Sequence, residues 1–391
     1  MGARIRCCAG YVGHAVTLAQ LWREHFIVPE GIYLLSHSVG CAPVHAERQL
    51  AQYYFKAWHE QGGEAWSDWL DQTERFCSLL AQFFNEQPEN FCPQVNISST
   101  LCKLISALPQ SSKNKTILFS EDDFPSVGFV VQQSSRLGYK TKCMKSYASA
   151  YNEDYWDKLL SKDVALLYLT QVTSDHSIRF PIEKIVSLAR DRQIISVVDI
   201  AQSAGVLPID LSQWNADFVV GSSVKWLCGG PGAGFLWVNP DNVETYEPID
   251  VGWFSHQNPF EFDIHHFEYA VKAKRYWGGT PSIAPFVIAA VGIQTLLDLG
   301  IENIYSHNRS LCERIRQAAN QAGLPLGGSD NAKHRGGTVS ISFEDVPNGI
   351  SLLQQHKIRF DLRRDHIARF SPHIYNTHEE IEIFCDLLAR V

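Results

Sequence analysis

Between residues 117 and 238 the chain alternates short, nearly unbroken apolar runs with longer stretches of helical periodicity. ILFS (117–120), ALLYLTQVTS (165–174), Ile194 to Val198, Phe218 to Val220 and GFLWV (234–238) are too short for helices. Each is rich in β-branched or aromatic residues, so each reads as a buried strand. PIEKIVSLARDRQ (181–193) carries its apolar residues at helical spacing, with its proline in the first turn. Strand, helix, strand in this cadence predicts right-handed βαβ units and a mainly parallel sheet.

Helices are predicted over 14–25, 45–60 and 66–84, with a strand running into a small-residue turn at IYLLSHSVG, 32–40. NISSTLCKLISAL (96–108) places Asn96 and hydroxyl residues ahead of an apolar helical run, the signature of a capped N-terminus. Residues 251–282 lack periodicity and read as a long excursion, of the kind that often carries function. A long apolar helix from 283 to 299, a second over 304–322, the strand TVSISF, a helix near 349–356, the strands IRFDLR and IARFSP and a final helix make a smaller α+β unit.

The 391 residues allow a large core and two domains, and 45% hydrophobic with 19% charged residues is ordinary for a globular chain. A net charge of −8 without a basic block argues against a nucleic-acid partner. No apolar stretch reaches the length of a membrane span. The ten cysteines form no C-x-x-C pair and no Cys/His cluster at zinc spacing. They read as reduced core thiols of a cytoplasmic protein, and no metal is expected.

The chemistry concentrates at the ends of the apolar runs. Asp199 closes one run and Lys225 follows another, just beyond Ser222 and Ser223. In an open α/β sheet ligands bind in the crevice past the carboxyl ends of the strands. An acid and an amine delivered there suggest pyridoxal phosphate, which needs a lysine for its Schiff base and an acid beside its pyridine nitrogen. A buried carboxylate at Asp199 needs a backbone cap or a cationic partner such as that ring nitrogen. Gln202, further along, can reach a ring oxygen or simply face solvent. Phe124 sits at another strand end, placed to cover a flat cofactor or to cap the core. Ser98 and Ser99 head a helix whose free N–H groups suit an anion, although a plain cap explains them as well. Ser38 lies in a turn able to approach a ligand, with an ordinary loop as the alternative. Arg369 stands inside an apolar strand pattern, where it either clamps a substrate carboxylate or forms an internal salt bridge.

Taken together, IYLLSHSVG, the spaced Trp58 and Trp66, DDFPS, VVDIAQSAG with DLSQWNADF, SSVKWL with GGPG, VGWFSH, GGTPS and IARFSPHIYNT resemble the class V branch of fold-type I pyridoxal-phosphate enzymes, and within it the kynureninases. The resemblance runs from about Ile32 to the C-terminus. It implies an α/β fold, with a mainly parallel seven-stranded sheet in a large cofactor-binding domain (45–282), a small C-terminal α+β domain (283–391) and an N-terminal segment (1–44) packed on the small one. It implies Lys225 as the Schiff-base lysine, Asp199 as the pyridinium partner and Phe124 as the stacking ring. Ser98, Ser99, Ser223, Trp253 and Thr280 would hold phosphate, the last two across a homodimer interface, and Arg369 would hold the carboxylate of an amino-acid substrate. The implied reaction is hydrolytic Cβ–Cγ cleavage. Three positions depart from the kynureninase pattern: Val224 replaces a tyrosine before the lysine, Val127 replaces the acid of F-P-x-D, and Gln202 replaces a histidine. These open the alternative of transamination or β-elimination on a different amino acid. A non-catalytic binding protein of the same fold is a remoter reading. Cysteine desulfurase chemistry fits poorly, because that subgroup stacks a histidine on the cofactor and uses a loop cysteine, whereas no cysteine follows GGTPS until Cys312.

Overall fold

The computed structural model describes residues 18–109, 115–145, 151–343, 346–364 and 366–390. Seven strands form the central sheet: β1 (Phe91–Gln94), β2 (Thr116–Ser120), β3 (Lys140–Met144), β4 (Val164–Thr170), β5 (Ile195–Asp199), β6 (Phe218–Ser222) and β7 (Gly234–Val238). Their spatial order is β1-β7-β6-β5-β4-β2-β3. β7 runs antiparallel to both neighbours, and the pairings from β6 to β3 are all parallel. Every residue of β4 is buried, as a strand covered on both faces should be. β3 is one of the two edge strands, and its two lysines discourage further pairing.

Side chains alternate between two cores. Leu118, Leu167, Leu169, Val198, Val219 and Phe235 face one way and pack with α1 (Trp66–Phe84) and α5 (Ala284–Leu299). Phe76 of α1 and Phe286 of α5 meet with ring centroids 5.0 Å apart. Ile117, Leu166, Tyr168, Val197, Phe218, Val220 and Leu236 face the other way, toward α2 (Ile97–Ala107) and α3 (Pro125–Gln133). With a side-chain period of two, Asp199 falls on the same face as Val197, and Ser222 on the same face as Val220. α4 (Ile182–Arg190) follows Pro181, which occupies the N-cap rather than the first turn.

After α5, α6 (Ile301–Gln321) leads into a three-stranded antiparallel sheet of β8 (Val339–Ser342), β9 (Asp361–Arg363) and β10 (Ile367–Phe370), in the order β8-β10-β9. α7 (Val346–Gln355) lies between β8 and β9, and α8 (His378–Leu388) closes the chain behind a Thr377–Glu380 capping box. The segment expected as a strand over 32–40 forms only Ile32–Tyr33, paired in parallel with Ile358–Arg359, and Leu35 bridges Ser371. The N-terminal segment is thereby laced to the C-terminal elements. The helix expected over 14–25 is seen as Leu18–Arg23, its earlier part lying outside the described residues. Residues 251–282 hold only two short 3-10 turns, at Trp253–Ser255 and Lys272–Tyr276.

Candidate active site

A cavity of about 300 Å³ opens past the carboxyl ends of β2, β5 and β6 and against the first turn of α2. Asp199 is delivered to it as the last residue of β5, and Lys225 three residues after β6. Both line the cavity, as do Ser38, Ser98, Phe124, Gln202 and Arg369. Asp199 is buried, and two groups hold its orientation: the Tyr168 hydroxyl donates to Oδ2 at 2.8 Å and the Ala201 N–H donates to Oδ1 at 2.7 Å. Tyr168 comes from β4, one strand over, where Thr170 is the residue directly paired with Asp199. Burial raises the Asp199 carboxyl above its usual range, against the hydrogen bond from Ala201 and the positive charge of Lys225. Burial likewise lowers the Lys225 amine to about 8, with Asp199 opposing and Arg369 and Arg363 adding to the effect. An amine tuned to that range is neutral often enough near physiological pH to act as nucleophile and base.

Phe124 caps α3, with Pro125 following it, and its ring centroid lies 5.7 Å from Lys225 Nζ. The turn that presents it is tied by Asp123, which accepts the Ser120 N–H at 2.8 Å and the Thr170 hydroxyl at 2.7 Å. On α2 the Asn96 side chain accepts the Ser99 N–H at 2.8 Å, a cap worth about 1 kcal/mol. Ser98 faces the cavity while Ser99 is exposed outside its lining, a consequence of the turn made per helical residue. Ser223 also lies outside the lining. It follows the strand on the opposite face, fully buried, and its hydroxyl donates to Ala233 O at 2.6 Å. Ser222 takes the place in the cavity wall. Trp253 packs instead among Trp66, Phe254 and Phe260, at centroid distances of 5.7, 4.5 and 5.6 Å, and Thr280 is exposed, so neither lines the cavity of its own chain.

Gln202 lines the cavity with most of its amide engaged: Oε1 accepts the Trp226 indole N–H at 3.2 Å, and Nε2 donates to His37 O at 3.1 Å. One N–H remains for a ligand. Arg369 is fully buried and paired within the chain. Nε donates to Asp361 Oδ1 at 2.8 Å, Nη2 meets Asp361 Oδ2, and Nη1 donates to Ser174 O at 2.6 Å. The internal salt bridge that competed with the carboxylate clamp in the sequence is therefore formed. Three of five guanidinium N–H groups are taken, which leaves two for another anion.

Sequence reasoning missed His37, Tyr168, Asp361 and Arg363. His37 is buried beside Arg369, its Nε2 3.0 Å from Asp361 Oδ1 and its Nδ1 2.6 Å from Ser371 Oγ. Burial alone would raise the Asp361 carboxyl, but His37 and Arg369 outweigh it and hold it well below the usual range. The SHS triplet at 36–38 was the available signal for His37. Gly40 pins this segment to the lysine loop. Its N–H donates to Val224 O at 2.9 Å, and a Cβ there would lie 2.2 Å from Lys225 O.

Burial lowers both His37 and His373 to about 4, from an ordinary 6.5. The unfolded chain thus binds more protons than the folded one between those values, so the stability that these neutral rings allow is lost as pH falls. Denaturant midpoints of the cofactor-free protein are expected to drop steadily from pH 6.5 to 4, and less steeply in His37→Gln. Parallel curves for the two proteins would contradict this.

The sequence model of the aminotransferase class-V family matches residues 99–384. The chain belongs to the aminotransferase class-V family. Among similar proteins are an uncharacterized aminotransferase, YcbU, of Bacillus subtilis (strain 168), 26% identical and covering 90% of this chain and 92% of its own, and the kynureninase of Geobacillus thermodenitrificans, 27% identical over 94% and 90%. Solved structures that share the fold include two enzymes. The cystine C-S lyase C-DES has a TM-score of 0.83 at 21% identity, covering 92% of this chain and 97% of its own. The cysteine desulfurase of Thermococcus onnurineus NA1 has a TM-score of 0.81 at 21% identity, with 92% and 94% covered. This class-V chain is a pyridoxal-phosphate-dependent enzyme. The cavity fits that cofactor: a buried amine, a buried carboxylate with a fixed orientation, an aromatic face beside the amine, and hydroxyls at a helix N-terminus.

Proposed function

We propose that this enzyme acts on an α-amino acid whose carboxylate is held at Arg369, and that it hydrolyses a side-chain Cβ–Cγ bond in the manner of a kynureninase. The observation that carries the reading is the meeting of Lys225, Asp199 and Arg369 in one cavity. Pyridoxal phosphate, when bound, supplies an aldehyde for amines and a ring that takes up electrons. Lys225 would hold the cofactor through its amine and would move the proton at the substrate's α-carbon. Asp199 keeps a proton on the ring nitrogen, and Tyr168 and the Ala201 N–H keep that carboxylate aimed. Phe124 would cover one ring face, and Ser98 with Ser222 would offer hydroxyls to the phosphate. Arg369 uses its two remaining N–H groups on the carboxylate while Asp361 fixes the guanidinium plane. Ile97, Leu101, Val127 and Val224 add an apolar wall suited to a hydrophobic side chain. The full-length similarity to kynureninases supports the same reading.

A second reading, transamination or β-elimination, draws on one observation. Val224 and Val127 present carbon to the cavity, and among the described residues its lining holds no phenol to relay a proton in carbon-carbon cleavage. Desulfuration is disfavoured, because Cys312 is buried, its thiol pushed up to about 12, and among the described residues no cysteine lines the cavity. We also infer a homodimer in which Trp253 and Thr280 reach the partner's cavity, as neither lines its own.

Incubating the holoenzyme with kynurenine and assaying anthranilate and alanine tests the first reading. Both products in equal amounts are expected. Keto acid or pyruvate released from other amino acids by the same preparation, with kynurenine untouched, would replace it with the second.

A further inference from the structure

The excursion that follows Gly252 returns on itself. The Gln257 N–H donates to Glu268 O at 2.9 Å, the Ala270 N–H donates to Ser255 O at 2.8 Å, and His256 bridges Tyr269. This brings three metal-type donors together although the sequence shows no zinc spacing. His256 Nε2 lies 2.9 Å from Glu261 Oε2, His266 Nδ1 lies 2.9 Å from Glu261 Oε1, and one donor atom from each of the three residues lies within 4.8 Å of the others. None of the three lines the cavity described above.

We propose that His256, Glu261 and His266 bind a divalent transition metal of the zinc class, and that the ion fastens the loop carrying Phe260 and Phe262 against Trp253. The two imidazoles stand nearly perpendicular, with centroids 5.5 Å apart, so their nitrogens converge on the carboxylate from different sides. His256 Nδ1 lies 2.8 Å from the Glu268 carbonyl oxygen. The Glu268 N–H also lies 3.0 Å from Nδ1, so the Glu268 backbone holds the ring on that side and leaves Nε2 turned toward Glu261, the orientation that a metal-binding histidine uses. One ion serves all three donors. Bonds of about 2.0–2.2 Å to zinc put tetrahedral donors about 3.3 Å apart, within the span the three residues already define. Two nitrogens and one carboxylate favour zinc over magnesium or calcium, which prefer oxygen, and leave one position for water. The site is partly open: the side chains of His256, Glu261 and His266 are 10%, 31% and 52% exposed. Between the donors, Phe260 and Phe262 meet the Trp253 ring at 5.6 and 6.1 Å, so fixing the donors fixes that aromatic cluster.

The test is a calorimetric titration of untagged, chelator-stripped holoenzyme with zinc chloride, alongside Glu261→Gln and His266→Gln. Both residues are surface positions, and retained visible absorption of the cofactor reports that each variant is folded. One saturable equivalent per chain is expected in the wild type, weakened about 10- to 100-fold in each variant, with magnesium chloride giving no saturable binding. Zinc should also protect the 257–265 segment from limited proteolysis in the wild type and not in the variants. Equal zinc binding in all three proteins, or none in the wild type, overturns the proposal.

Discussion

Lys225→Ala is expected to eliminate the visible absorption of lysine-bound cofactor and to lower amino-acid turnover by about 10²–10⁴-fold or more, the range associated with losing a positioned proton-transfer group. The variant should nevertheless fold. Burial holds the Lys225 amine down at about 8, so the chain below that pH carries a desolvated cation that only Asp199 offsets. Removing the amine removes that cost together with the positive charge that steadies Asp199, and the two nearly offset, so the cofactor-free variant is expected to melt close to cofactor-free wild type. Loss of function without loss of stability is the mark of a residue retained for chemistry. A variant that keeps the absorption band would refute the role assigned to Lys225.

Arg369→Met is expected to act on both stability and activity. Asp361 would lose its bidentate partner and keep only His37, and Ser174 O would lose its donor. Breaking a buried pair from one side costs about 3–5 kcal/mol, and the part exposure of Asp361 places this case toward the lower figure. Combining Arg369→Met with Asp361→Leu removes both charges and should recover most of the lost stability. Substrate affinity should stay low in the double variant, because no guanidinium remains on that side to receive a carboxylate. Recovery of affinity together with stability would show that Arg369 is purely a structural residue.

Asp199 and Lys225 were legible because each stands at the end of an apolar strand, where the side-chain period and the direction of a parallel sheet determine the outcome. Asn96 and α2 were legible because an N-cap is a local signal. Ser222 and Ser223 were not separated, since both flank the strand end and only the parity counted from Val220 sends one to the cavity and the other to Ala233. The Asp361–Arg369 pair depends on a hairpin register that places the two residues directly opposite each other, and no Asn-Gly or Asp-Gly pair in the sequence between them marks it. Tyr168 reads as an ordinary strand aromatic until β4 and β5 are aligned. The His256, Glu261 and His266 cluster forms only when the excursion folds back, a contact that no local period encodes.

The lacing of the N-terminal segment onto the C-terminal strands bears on when the site comes into being. His37 and Ser371 are hydrogen-bonded partners separated by 334 positions, and Gly40 holds the loop that carries Lys225. During synthesis the seven-stranded sheet, complete by Val238, can assemble while β9 and β10 are still untranslated. At that stage the residues that deliver Asp199 and Lys225 are present, but Arg369, which forms the substrate wall with His37, is not. The substrate wall is therefore the last part of the cavity whose residues translation supplies.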